Sequence, residues 1–483
     1  MNNGDKKAEK KSAKALKASA QAIDSKTFLG TEPIWPLLRQ LSVPAIIGML
    51  VNALYNFVDT IYVGQGVGPL AIGALSIAFP VQMLISAFAQ MFGVGSASII
   101  SRRLGEKNEV AAANAAGTAL TATVITALLI TVLGTIFIEP LLAAFGATEN
   151  ILPYSRDYLS IILYGSIFIS ISMSSNSIIR AEGKAKAAMF IMVIGTGANL
   201  ILDPIFIFGF NMGIRGAAVA TVISQILSAL YAIRFFARNE SILPLHVSSF
   251  KIRLKVLWET VVLGFSFFVR QAGGSLMALA VNNMLKIYGG DMAITAYGMI
   301  LRVMMFFLMP IFGLVHGFQP IAGYNYGARR MDRVKEVVWK AILVSTLIGL
   351  FGFLLIMFFP KFILTIFTSD AQALAIAVPA LRTVMMLIPL LGVQAIGSTF
   401  FQSTGKAVPA FFLGLSRQFL FLIPLVLILP GFLGLSGVWI AFPIADLMAT
   451  LITTTWMLIE LKRMCRKFND EQLIDEESTG NRC

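Results

Sequence analysis

The sequence predicts an all-α polytopic membrane protein, with 12 transmembrane helices in two parallel six-helix repeats. Three observations carry that reading. Hydrophobic residues make up 57% of the 483 and charged residues 13%, with mean hydropathy +0.80, a balance too apolar for a soluble domain. Apolar runs longer than about 18 residues recur along the chain, each long enough to cross a bilayer. The loops between them alternate between basic and nearly uncharged.

Residues 1–30 form a basic tail holding Lys6, Lys7, Lys10, Lys11, Lys14, Lys17 and Lys26, and no short apolar core with a cleavage site follows. The tail is read as cytoplasmic, either solvated or lying on anionic lipid at about 1 kcal/mol per Lys. Twelve apolar spans follow, at about 37–63, 70–101, 110–138, 155–180, 186–209, 214–237, 258–286, 292–322, 336–359, 376–400, 408–430 and 436–460. One set of loops carries the cations: Arg102, Arg103 and Lys107; Arg180, Lys184 and Lys186; Arg234 to Lys255; Arg329 to Lys335; Lys406; and Lys462 to Lys467. The other set, such as Gly64 to Gly68, Gly209 to Gly213 and Gly431 to Gly437, is short, Gly-rich and nearly without cations. Positive-inside topology then places both termini in the cytoplasm, and a cell membrane is the expected location. The same placement accounts for the +13 net charge without nucleic acid as a partner.

The halves match at an offset of 222 residues: Leu41 to Pro44 with Leu263 to Ser266, Gly105 with Gly327, and Gly183-Lys184-Ala185 with Gly405-Lys406-Ala407. Six helices per repeat give both halves the same orientation, related by an axis along the membrane normal, and transporters of that build bind substrate between the halves. The expected units are an N-terminal lobe at 31–245, a linker at 246–257, a C-terminal lobe at 258–460 and a tail at 461–483.

The acids break this symmetry. Asp59 is matched by Val281 and Asp203 by Leu425, so both carboxylates belong to the first lobe. A charge at membrane depth costs about 2.5 to 3.5 kcal/mol on insertion scales, which makes each acid a functional candidate. Asn52, Asn56 and Asp59 share one face of the first helix with Tyr55 beside them, a face that cannot point at lipid and that offers substrate-pocket candidates. Asn199 and Asp203 fall at i and i+4 on the fifth helix, and Pro204 frees the carbonyl of Leu200. Counting helical rise puts Thr221 at a similar depth. Two carboxylates, an amide and a hydroxyl at one level would suit Na⁺, or a proton shared between acids. Protons make fewer geometric demands, so H⁺ is favoured and Na⁺ is the alternative. Pro44 should bend the first helix as Pro204 bends the fifth.

These residues carry a resemblance. The run Tyr55 to Thr60 with Gly64, the loop Arg103 to Asn108, the Ala181-Glu182-Gly183-Lys184 turn and Asn199 with Asp203-Pro204 resemble the MATE (multidrug and toxic compound extrusion) transporters, in particular the MepA-like bacterial branch, over about residues 35–460. The resemblance implies an H⁺- or Na⁺-coupled antiporter that works as a single chain in membrane lipid, without cofactor, and expels bulky, mostly cationic amphipathic small molecules. It implies a cation site at Asp59, Asn199, Asp203 and Thr221, with Asn176 as a further lining residue. One departure is that the second lobe offers Arg270, Arg302 and Arg417 with only Asp446 as an obvious partner. Those cations would attract anionic groups, or pair with Asp446 and carbonyls.

Other classes are set aside on motif grounds. Neither Gly183-Lys184 nor Gly405-Lys406 has the glycine and hydroxyl of a phosphate-cradling loop, and no His-Glu-x-x-His or Gly-x-Ser-x-Gly motif occurs, so neither an ATPase nor a hydrolase is expected. His246, His316, Cys465 and Cys483 are too scattered for a metal site. The alternative is a lipid-linked oligosaccharide or other lipid flippase of the same superfamily, which a strongly cationic cavity would favour.

Overall fold

A computed structural model describes residues 27–66, 69–238, 240–368 and 370–480, with the side chains at 56, 57, 59–61, 64–66, 69–72, 272, 275, 469 and 471–480 outside that description. The basic tail lies almost wholly outside the described residues. The first lobe is built from α1 (Ile34–Gly66), α2 (Pro69–Gly105), α3 (Glu109–Ile136), α4 (Leu152–Ala181), α5 (Ala185–Pro204) and α6 (Gly213–Ala237). α1 runs as one helix through Pro44. Pro204 ends α5, and the chain continues as a π-helix over Ile205–Gly209. Proline has no N–H to carry on the i to i−4 ladder, so the register widens just past it.

The second lobe begins with α7 (Leu254–Gly327), whose 74 residues are too many for one crossing. Gly290 divides it at φ 65°, ψ −164°, where a side chain would be strained. α8 (Met331–Phe358) follows, then α9 (Ala371–Val384) and α10 (Ile388–Ser403), which meet at 48° as one bent span. α11 (Ala407–Leu415) runs into a second π-helix, Ser416–Leu422, and α12 (Leu435–Gly480) closes the chain. With α7 as two spans and α9 and α10 as one, the described residues hold the 12 expected crossings. The tail expected at 461–483 instead continues α12 as helix as far as Gly480.

Exposed Trp339, Leu343, Leu347 and Phe351 recur every fourth residue along α8, an apolar stripe that lipid covers. Inside, the buried apolar residues divide unevenly. At the end carrying the basic loops one cluster joins both lobes, with Leu37, Ile100, Phe318, Phe400 and Leu461 among its members. Toward the opposite end the clusters separate, Val63, Tyr158 and Ile207 in the first lobe and Leu285, Tyr297 and Phe442 in the second.

Glycine makes the joined end possible. A Cβ on Gly105 would lie 2.0 Å from the Tyr324 carbonyl oxygen, and one on Gly327 would lie 2.0 Å from that of Arg102. The two contacts are the same contact under the 222-residue offset. Gly95 and Gly264 repeat the arrangement deeper in, against Thr260 and Met91, and Gly317 approaches Ser42 equally closely. Helix backbones therefore touch across the lobes, and the Arg102–Glu259 ion pair at 2.9 Å ties the same end.

Residues 27–32, assigned from sequence mostly to the tail, act as a strap here. Phe28 packs on Gly183 of the first lobe, while the carbonyls of Leu29, Gly30 and Glu32 accept from Asn325, Arg330 and Arg333 of the second.

Candidate functional site

Asn199, Asp203 and Thr221 all lie toward the end of the first lobe opposite the basic loops. Asn199 and Asp203 share a face of α5, and the Asn199 amide donates to a carboxylate oxygen of Asp203 at 2.7 Å. Asp203 is fully buried and Asn199 nearly so. Thr221 on α6 donates its hydroxyl proton to the Ala217 carbonyl at 3.0 Å, one turn back in its own helix, which leaves the oxygen lone pairs as its contribution to a ligand set.

An apolar cluster lies at the same end of the lobe. Val63 of α1, Ile207 of the π-helix and Ile214, Ala217 and Ala218 of α6 form one buried cluster, and the rings of Tyr62 and Phe208 meet edge-on with centroids 6.3 Å apart. Tyr62 and Val63 lie one turn beyond Asp59, so the backbone of α1 carries Asp59 toward the Asp203 end of α5. The side chains of Asp59 and Asn56 lie outside the described residues. Asn52 and Tyr55 are half-buried on the same helix. Asn176 is placed elsewhere: buried on α4, it donates to the Ala188 carbonyl at 2.6 Å and clips α4 to the start of α5, eleven residues short of Asn199. It packs helices and has not been brought to the Asp203 pair.

The second lobe sorts its three arginines differently from one another. Arg417, in the π-helix, forms an ion pair with the fully buried Asp446. Arg270 lies over the Phe267 ring, 5.0 Å from its centroid. Arg302 is exposed on the second part of α7.

The fold matches what a family comparison finds. The MatE family model matches twice, over residues 44–205 and again over 267–428, one match per lobe. The chain belongs to the MatE family. Among relatives, it is 26% identical over 448 residues to the multidrug export protein MepA of Staphylococcus aureus (strain MSSA476), covering 93% of this chain and 98% of the relative. The crystal structure of MATE in complex with MaL6 superposes with TM-score 0.87 at 28% identity, covering 92% and 99% of the two chains. The outward-facing conformation of a multidrug resistance MATE family transporter of the MOP superfamily superposes at 0.83, with 28% identity over 89% and 96%. As a MepA-like MATE protein, the chain is a multi-pass membrane transporter and not an enzyme.

Two features of this MATE chain were hidden among the loop charges in the sequence. Glu182, in the α4–α5 turn, is fully buried; both its oxygens accept from the Ser241 hydroxyl at 2.8 Å, and one also accepts the Ile242 N–H at 2.9 Å. Burial pushes its carboxyl up to about 7, against the opposing pull of those two donors and of Lys184. Arg180, two residues earlier, turns inward between the lobes instead of out to water. The offset that exposed the acids would have found both, since Arg180 is matched by Gln402 and Glu182 by Thr404.

Proposed function

We propose that this chain is a cation-coupled antiporter that exports amphipathic, mostly cationic small molecules from a bacterial cell by alternating access, as a single chain without cofactor. The observation that carries the reading is the buried Asn199–Asp203 pair, present in one lobe only and at the same end of it as the apolar cluster joined by the helix that bears Asp59. A carboxylate removed from water at membrane depth is unstable alone, so the pair is poised to take up a proton or Na⁺. H⁺ is favoured, because a proton makes fewer geometric demands than a hard cation, which needs several oxygens to converge. The relatives' name, multidrug export protein, supports drug-like small molecules as the substrates.

Reading the basic end as cytoplasmic, the apolar cluster and glycine seam close the inner side while the lobes' cores part toward the outer side. This is the outward-facing state of an alternating-access cycle. The test is purified protein in liposomes preloaded with ethidium. An inward proton gradient without Na⁺ should drive release, and Asp203→Asn and Asp59→Asn should each abolish the response. Release that ignores the pH gradient and requires Na⁺ would exchange the ion; release indifferent to both substitutions would overturn the site.

A second reading, a lipid flippase of the same superfamily, is favoured by the half-buried Arg270, which stacks on Phe267 with no carboxylate ion-paired to it among the described residues. Translocation of a labelled lipid by the same liposomes, with no ethidium release, would establish it.

A further inference from the structure

Between the lobes, near the basic end, lies a cleft that the cation site does not use. Arg180 enters it from α4, and His316 and Gln319 enter from the second part of α7, with Ser177 and Ala97 beside them. Arg180 is 7% exposed and Gln319 6%. The guanidinium has five N–H donors, and the bond found for it is one to the Ser177 hydroxyl at 3.1 Å. No described carboxylate pairs with it; the oxygens of nearby Glu182 are held by Ser241 and Ile242. The Gln319 amide nitrogen is buried without an acceptor. In this closed state the walls meet too tightly to admit a water molecule.

Packing alone does not explain such a group, since burying a cation with no opposite charge beside it and an amide nitrogen without an acceptor is costly. The chain itself shows the neutral solution. At the repeat-equivalent of Arg180 stands Gln402, whose amide donates to the Leu263 carbonyl at 3.1 Å, and the equivalents of His316 and Gln319 are Val94 and Ala97. The second copy of this corner is thus apolar and satisfied, and the first copy departs from it by adding three donors that converge.

We infer that Arg180, His316 and Gln319 form an oxyanion-recognition site that takes the carboxylate, sulfonate or phosphate of an amphiphilic substrate when the basic end opens. The inference rests on the export reading and extends its substrates to anionic and zwitterionic amphiphiles. A guanidinium edge matches two oxygens of a carboxylate, sulfonate or phosphate bidentately, and the Gln319 amide supplies a third donor. Each lobe contributes a donor, so the bound anion holds the lobes at that end together, and closing there would sense occupancy.

The test uses the full chain in phosphatidylcholine liposomes with three probes, ethidium, fluorescein and fluorescent phosphatidylglycerol. Wild type should move one anionic probe besides ethidium. Arg180→Gln, the residue of the second repeat, should lower the ratio of anion to ethidium transport by about tenfold to a hundredfold, the worth of a charged hydrogen bond. Gln319→Ala should lower it severalfold, and Arg180→Lys should restore part of it. An effect on fluorescein names a soluble oxyanion as ligand, and an effect confined to phosphatidylglycerol names a lipid headgroup. Wild type that moves ethidium but neither anion overturns the site while leaving the export reading intact; so does an unchanged ratio in both variants, with melting curves confirming their fold. Failure to move any of the three probes defeats both readings. Should Arg180→Gln not fold, the neutral Gln319→Ala decides by the same ratio.

Discussion

Asp446 and Glu182 are both fully buried acids, and they are held in opposite ways. Asp446 faces the Arg417 guanidinium, so truncating it leaves a cation stranded in the second lobe. Asp446→Ala should cost about 3 to 5 kcal/mol in denaturation, and the double replacement Arg417→Met with Asp446→Leu should recover most of that. If the single and double variants melt alike, the pair is not what stabilises this corner. Glu182 instead lies among neutral donors, and its carboxyl is raised from 4.5 to about 7. Between those values the native chain holds a proton that the unfolded chain has released, so stability falls as pH rises from 4.5 to about 7 and is level above. Glu182→Gln should flatten that slope in melting curves collected from pH 5 to pH 8. An unchanged slope would assign the dependence to other groups.

At the scale of elements, the two π-helices fall in repeat-equivalent spans but at different places: Ile205–Gly209 follows Asp203 and Pro204, whereas Ser416–Leu422 contains Arg417 and is the counterpart of residues 194–200. A widened turn re-aims side chains within a helix, and each lobe spends it beside its buried charge. The strap at residues 27–32 works through backbone carbonyls, with Asn325 at its centre. Its amide donates to the Leu29 and Ile321 carbonyls at 2.9 Å each, and its oxygen accepts from Arg333 at 2.9 Å. Asn325→Leu keeps the volume and deletes these bonds, and should cost about 1 to 3 kcal/mol. The strap should then be cleaved faster in limited proteolysis, and equal cleavage rates would show that Phe28 packing alone holds it.

For the whole molecule, the glycine seam sets how closely the lobes approach. A side chain at Gly105 or Gly327 would collide with backbone, which cannot yield as a flexible side chain can. Gly105→Val and Gly327→Val should both hold the basic end open, and to a similar degree, because each breaks the other's repeat-equivalent contact. Spin labels on the α2–α3 and α7–α8 turns should report longer distances in either variant than in wild type. One variant opening while the other remains closed would show that the seam is not a symmetric gate.

The sequence by itself determined the class, the crossings, the repeat and the asymmetric acids. Hydropathy and loop charge record the membrane directly, and the 222-residue offset makes any departure visible, as at Asp203 against Leu425. Helical periodicity also sufficed to join Asn199 to Asp203, since they are one turn apart on one helix. What needed the tertiary structure were contacts between helices distant in sequence. Asn176 is polar on an apolar span, yet its partner is a carbonyl on α5; Arg302 sits on an apolar span, yet is exposed. Arg180 and Glu182 read as loop charges because they adjoin Lys184, and only the packing of α4 against α7 and the linker turns them inward. Composition and periodicity specify which face of a helix is polar. Which neighbour meets that face, and whether it supplies an acceptor, is fixed only when the lobes close on one another.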